Sequence, residues 1–465
     1  MLIMKEVYSH KLSELRLVAR ELMKNLKKKV YYGDLRLEYR KVLSFKVSEK
    51  GVDSLTLEER VSGGVRVWKG AFSFASFDSL EKIAESIESA ISLSKLYCED
   101  KKLTIAEKVE GEFYYPVEKN PAEVSDGEKK ELFKKWVNIA LEEMNVKSAI
   151  INYIEIHSVR VFANTEGSLI SQISPYIIAY GSITAEKENI KETIYCYSCK
   201  RDFNKFKDEM EKEIRDKSGY VNKLVLYPRV RTGIYDIVID PDISGTFAHE
   251  AFGHLAEADF HYQNKEMQKV FKKGRKIGNE MISIVDDGSD IAYFGGYYFD
   301  DEGVKSEKTY LMKNGEITGR LHTIETATIM GEKPTGNGRI TDARFPPVAR
   351  MSITYIEPGK DKKEDLIASI KNGFYCEGAA GGWTEFTTFT FTPLKVYKVE
   401  DGKIKYPVRG VSLQGDIFET LKNVRGVSSE LRFVDGWCGK DEQYPLPVSW
   451  GGPYLLIEKV RISGD

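Results

Sequence analysis

Only six histidines occur in the 465 residues, and three of them, His249, His254 and His261, fall within thirteen positions. The segment reads Ala248-His249-Glu250-Ala251-Phe252-Gly253-His254-Leu255-Ala256-Glu257-Ala258-Asp259. A His-Glu pair followed by a second histidine points to a metal site, in which imidazole nitrogens hold a borderline cation and the adjacent carboxylate activates water. In the common zinc-peptidase motif the two histidines are four apart and so about 40° apart around a helix. Here they are five apart. A regular helix would swing them about 140° from each other, too far for one small cation, so the spacing predicts a π-type widening between His249 and His254. Gly253, without a Cβ, lowers the cost of that distortion.

A catalytic zinc usually takes three protein ligands and leaves one position open. The nearby candidates for the third are Glu257, Asp259 and His261. The distant one is Cys438, in Asp435-Gly436-Trp437-Cys438-Gly439-Lys440-Asp441. Spacing alone does not choose among them. Glu257 and Asp259 equally suit a supporting layer that accepts the other ring N–H of each histidine, while His261 reads as an ordinary surface histidine. Cys196 and Cys199 have the spacing of a redox or zinc pair, but three apart in a strand-like run they face opposite ways, which makes coincidence the better reading.

The elements that must position these residues read as α+β. A helix over Lys5 to Lys28 carries Leu12, Leu15, Val18, Leu22 and Leu26 on one face. Leu35 to Tyr39, Val42 to Val47 and Val65 to Trp68 read as strands joined by turns. A helix from Asp78 to Leu96 follows, with Asp78 and Glu81 spaced as a capping box. Lys101 to Pro121 reads as a charged connection. The next helix, Glu128 to Met144, turns Phe133, Trp136, Ala140 and Met144 inward, then come strands at Ala149 to Phe162 and Tyr176 to Thr184 and a solvated, charged helix from Phe203 to Lys217. Helix followed by paired strands thus occurs twice. From Leu224 the texture turns β-rich and Gly-rich, as in Gly378-Ala379-Ala380-Gly381-Gly382-Trp383, which suits a curved sheet or partial barrel with an edge open to a peptide. The expected division is 1–222, with sub-parts 1–99 and 100–222, followed by a β-rich half at 223–465 that carries the histidine cluster.

Composition removes other classes. Lys plus Arg is 69 and Asp plus Glu is 71, a formal charge of −2, so no basic excess recruits nucleic acid or an acidic membrane. No apolar run reaches the roughly 18 residues of a membrane span, and Met1-Leu2-Ile3-Met4 leads straight into charged helix, which favours the cytoplasm. Five sparse cysteines fit a reducing compartment.

The segment His249 to Asp259 resembles the signature of the TldD subunit of the TldD/TldE (PmbA) metallopeptidase family, once called modulators of DNA gyrase. The likeness extends through Gly63-Gly64-Val65-Arg66-Val67, Tyr298-Phe299-Asp300-Asp301-Glu302-Gly303, Thr335-Gly336-Asn337-Gly338-Arg339 and Pro347-Val348-Ala349-Arg350-Met351-Ser352. It ends in Cys438-Gly439-Lys440-Asp441-Glu442-Gln443 and Pro447-Val448-Ser449-Trp450-Gly451-Gly452-Pro453. This resemblance implies that His249, His254 and Cys438 bind zinc, that Glu250 is the general base, and that the chain works in the cytoplasm as a heterodimer with a TldE/PmbA-like subunit, or as a homodimer, on unfolded, extended peptides. Where the family usually has Asp-Gly-Gln after Gly-Lys, this chain has Asp441-Glu442-Gln443, which puts only the local turn in question. The competing reading is a peptide-binding or modulatory subunit with a structural metal, against which the intact Glu250 argues.

Overall fold

The computed structural model describes residues 2–97, 102–262, 264–385 and 387–464, with side chains from Tyr8 onward. Cys98 and Lys101 lie outside them.

The first half is one seven-stranded sheet. Helix α1 (Leu2–Leu26) leads into β1 (Tyr32–Ser48), which turns back as β2 (Gly51–Trp68) and β3 (Phe72–Phe77). Where two strands were expected between Leu35 and Val47 there is one. Arg40 and Lys41 stay in register with Arg60 and Glu59 on one side and Ser158 and His157 on the other. Helix α2 (Ile83–Ser94) follows a short 3₁₀ turn, and the capping box expected at Asp78 and Glu81 is not formed. Asp78 instead pairs with Lys82 at 2.8 Å.

The charged connection contains a strand, β4 (Glu110–Tyr114). Helix α3 (Asp126–Leu141) precedes β5 (Val146–Asn164), β6 (Leu169–Lys187), β7 (Ile190–Lys200) and helix α4 (Phe203–Leu224). Met144, expected inside, lies beyond the end of α3 and is 84% exposed. Helix α4 runs a further two turns past Lys217, and it is not a solvated rod: Phe206, Met210, Ile214 and Lys217 are buried.

The strand order is β3-β2-β1-β5-β6-β4, with β7 also on β6. Because side chains alternate along a strand, β1 shows how both faces are covered. Its odd residues point to the helices: Leu35, Leu37 and Tyr39 pack with α1 and α2, and Leu43, Phe45 and Val47 with α3 and α4. Its even residues Asp34, Arg36 and Glu38 are charged yet buried, facing the second half. Arg66 spans that seam, 2.7 Å from Asp34 and 2.7 Å from Glu302. Glu38 accepts from the Ala343 N–H at 3.1 Å. Pairing of this kind is what lets charge stay buried.

In the second half, β8 (Gly233–Ile239) pairs with Leu455–Ser463, which continues through Ser412–Asp416 and Thr388–Glu400 to Asn372–Glu385 and back to β8. The five strands close a barrel. A six-stranded sheet stands beside it, with Gln443–Gly452 and Arg432–Lys440 at one end of its order. Helix α5 (Pro241–Thr246) and the segment after it run between barrel and sheet, sharing a core with Phe389 and Phe391 of the barrel, Ile356 of the sheet and Met351 just before that strand. The protein is α+β, and among the described residues no helix is long and apolar enough to cross a membrane.

Candidate metal centre

Strand β8 stops at Asp240, whose carboxylate accepts from the Ile243 N–H at 3.0 Å and caps α5, with Pro241 in the first turn. Helix α5 passes directly into seven π-helical residues, Phe247–Gly253. The His254 N–H reaches back to the His249 carbonyl, an i to i+5 bond. This is the widening that the five-residue spacing demanded, and it turns both imidazoles to one side, ring centres 5.3 Å apart.

The role assigned to Gly253 changes. Its backbone is ordinary right-handed helix, φ −60° and ψ −47°, so conformational freedom is not what it supplies. A Cβ there would lie 2.0 Å from Met351 Sδ. The glycine makes room for the Met351 side chain packed against it.

Cys438 arrives on the edge strand Arg432–Lys440, far away in sequence. Its Sγ is 3.4 Å from His254 Nε2, and one donor atom each from His249, His254 and Cys438 lie within 4.8 Å of one another. Both ring nitrogens of His249 are buried without a hydrogen-bond partner, a cost that a bound cation would relieve at one of them. Burial opposes ionisation of the Cys438 thiol, but His254 and His249 outweigh it and hold its pKa well below the ordinary value. Two imidazoles and a thiolate form a donor set suited to zinc.

Glu250 stands in the open part of this cluster, its Oε2 3.7 Å from His254 Nε2 and its side chain 32% exposed. Glu257 is wholly buried and meets His254 Nδ1 at 3.0 Å and Lys440 Nζ at 3.1 Å. Burial would raise its pKa, yet Lys440 and His254 bring it down to about 2. Asp259 reaches neither histidine of the cluster; it holds Lys440 at 2.9 Å and the Ala349 N–H at 2.7 Å. His261 is not on the surface. It is completely buried, with Nε2 2.5 Å from the Leu255 carbonyl, pointing away from the cluster. Cys196 and Cys199 do face opposite sides of β7 and enter different cores.

Two hollows flank Glu250. One, of about 220 Å³, is bounded by His249, Thr246, Tyr197, Trp437, Trp450 and the Ala379–Gly382 stretch; the other, of about 580 Å³, by His254, Phe260, Met267, Thr384, Glu385 and Lys440. Sequence reasoning passed over Asp242. Its carboxylate accepts from Trp450 Nε1 at 2.7 Å and from the Ala379 N–H at 3.1 Å, tying both walls of the smaller hollow to the helix that carries His249. Its one sequence signal is its place in the first turn after Asp240-Pro241.

Residues 232–464 match the family model described as PmbA/TldA metallopeptidase C-terminal domain. The chain belongs to the PmbA/TldA metallopeptidase family. Domain 1 of the same family matches residues 33–94 and its central domain residues 119–219. A metalloprotease of Synechocystis is 31% identical over 98% of this chain and 99% of its own length. A zinc metalloprotease TldD homolog of Saccharolobus solfataricus is 30% identical over 69% of this chain and 72% of its own. The crystal structure of TldE from Thermococcus kodakarensis shares the fold, with a TM-score of 0.75 at 21% identity, covering 96% of this chain and all of that one. The chain is thus a metallopeptidase.

Proposed function

We propose that this metallopeptidase hydrolyses unfolded peptides held in an extended form, with His249, His254 and Cys438 as zinc ligands and Glu250 as general base. The observation that carries the reading is the convergence of the three donor atoms within 4.8 Å, with Glu250 beside them and open to the cleft. The zinc in the name of the Saccharolobus relative agrees with the donor set. When bound, such an ion supplies Lewis acidity toward a carbonyl oxygen and lowers the pKa of water.

The remaining work falls to side chains. Glu250 accepts the proton of the water that attacks the peptide carbonyl carbon and returns it to the departing amine as the C–N bond breaks. Glu257 accepts the Nδ1 proton of His254 and so keeps Nε2 directed at Cys438. An extended substrate has two strand edges to pair with. Beyond Cys376 the strand Asn372–Glu385 has left β8, and Arg432–Lys440 ends the order of its sheet. Main-chain hydrogen bonds to such edges are indifferent to sequence, which suits unfolded chains as substrates.

The same reading takes a TldE-like subunit, or a second copy of this chain, as partner, and places the protein in the cytoplasm. In support stand the fold shared with TldE and the four described cysteines, all unpaired. The central test is Glu250→Gln, which is expected to retain metal while peptide cleavage falls by at least about 100-fold; turnover equal to the wild type would refute it.

A further inference from the structure

We propose that the hollow beside His249 is a side-chain subsite that selects an aromatic or large aliphatic residue next to the scissile bond. The inference rests on the peptidase reading above and adds a substrate preference to it.

The hollow has room for one large side chain: 220 Å³ is about seven times the roughly 30 Å³ that a water occupies in the liquid. Three aromatic rings bound it, those of Tyr197, Trp437 and Trp450. The polar edges of two of them are already engaged. Trp450 Nε1 is taken up by Asp242 at 2.7 Å, and the Tyr197 hydroxyl turns toward the same carboxylate at 3.4 Å. Ring surface makes up much of the wall, with Thr246 and His249 beside it.

The walls are held in place. Trp437 is braced by Tyr180 and Tyr197, ring centres 5.8 and 6.2 Å away, and Trp450 lies 5.9 Å from the His249 ring. Gly436 lets Trp450 lie against the strand backbone, since a Cβ there would meet Cη2 at 2.3 Å. Opposite, Ala379 to Gly382 contribute little bulk, which keeps the space open. Glu250 is the one charged side chain among those bounding the hollow, and it carries the sign that repels an acidic residue.

The hollow on the His254 side differs. It is more than twice as large and has Asn264, Glu385, Lys440 and Asp441 on its boundary. Selection therefore acts on one of the two residues that flank the cleaved bond, and the other is loosely read.

The test exposes the zinc-loaded full-length protein to a mixture of blocked peptides with randomised centres and locates the cleaved bonds by mass spectrometry. Phe, Tyr, Trp, Leu and Met are expected to be enriched about tenfold or more over Gly, Asp and Glu at one flanking position only. Ala380→Leu, which fills the hollow, is expected to shift the ratio of Phe to Ala cleavage about tenfold toward Ala. Cleavage with no enrichment at either flanking position overturns the subsite and leaves the peptidase reading standing.

A second measurement does not depend on turnover. Calorimetry on zinc-loaded Glu250→Gln protein compares hexapeptides with central Phe or Gly, and the Phe peptide is expected to bind about tenfold or more tightly. Equal affinities overturn the proposal. Absence of any cleavage by the wild type would refute the proposed function instead, and the calorimetry would still decide the subsite.

Discussion

Glu257 Oε2 lies 3.0 Å from Nδ1 of His254, with Lys440 on the same carboxylate and no solvent exposure. The carboxylate therefore fixes both the tautomer and the ring orientation of a proposed ligand. Groups in this position commonly contribute 10- to 100-fold to metal affinity. Glu257→Ala is expected to weaken zinc binding by about that factor, read by competition with a chromogenic chelator. Affinity unchanged from the wild type would remove Glu257 from the site.

Cys438 is the proposed ligand that the local sequence does not supply. Cys438→Ser is expected to leave less than about half of the zinc after dialysis at neutral pH, because a serine hydroxyl is a far poorer donor than a thiolate. Metal analysis of the two purified proteins side by side settles it. A full zinc complement in the variant would return the third position to a local acid.

Gly253 and Met351 should behave as a coupled pair. Gly253→Ala brings a methyl into the space of Met351 Sδ and is expected to cost about 1–3 kcal/mol in denaturant unfolding. The double variant Gly253→Ala with Met351→Ala should lose less than the sum of the two single losses, by at least about 0.5 kcal/mol. Simple additivity would mean that the methyl is accommodated elsewhere.

The hairpin that carries Cys438 turns through Asp441 and Glu442, at φ 50° and 62°, between the paired Lys440 and Gln443. Two left-handed residues in a two-residue loop form the turn type in which Gly is favoured at the second position. Glu442→Gly is expected to raise stability by about 0.5–1 kcal/mol and to leave zinc content unchanged. A lower melting temperature would show that the Glu442 side chain makes a contact worth more than the strain.

His261 gives the pH dependence a sign. Burial pushes its pKa down to about 4, and unfolding returns it to about 6.5. The unfolded chain therefore takes up a proton first. The stability that neutral His261 contributes is complete above pH 6.5 and is lost as pH falls from there to 4, by about 3 kcal/mol in all. His261→Phe should flatten the unfolding free energy across that window; an unaltered slope would assign it to other groups.

How far the site could be read from the sequence depended on how local its parts are. His249, Glu250, His254 and Glu257 lie within nine positions, and the five-residue interval forces a widened turn because no regular helix brings those rings together. The long strand β1 was divided in two because Arg40 and Lys41 interrupt its apolar pattern, although pairing on both sides carries it through. Asp78 and Glu81 had the spacing of a cap without forming one, since a lysine one turn on captured the aspartate. His261 looked like a surface residue because nothing in its own segment reveals that Phe271 packs against it, ring centres 5.0 Å apart.

The sequence by itself determined the π-type turn, the chemistry of its donors and the helical and extended periodicities of both halves, all of which follow from spacing and residue type along a short stretch of chain. Only the tertiary structure decided which distant sulfur meets the histidines, why residue 253 has no Cβ, and how Asp242 draws two aromatic walls to the same helix. Those choices depend on a barrel and a sheet meeting across α5, and contacts between residues about one to two hundred positions apart leave no periodic trace in the chain that forms them.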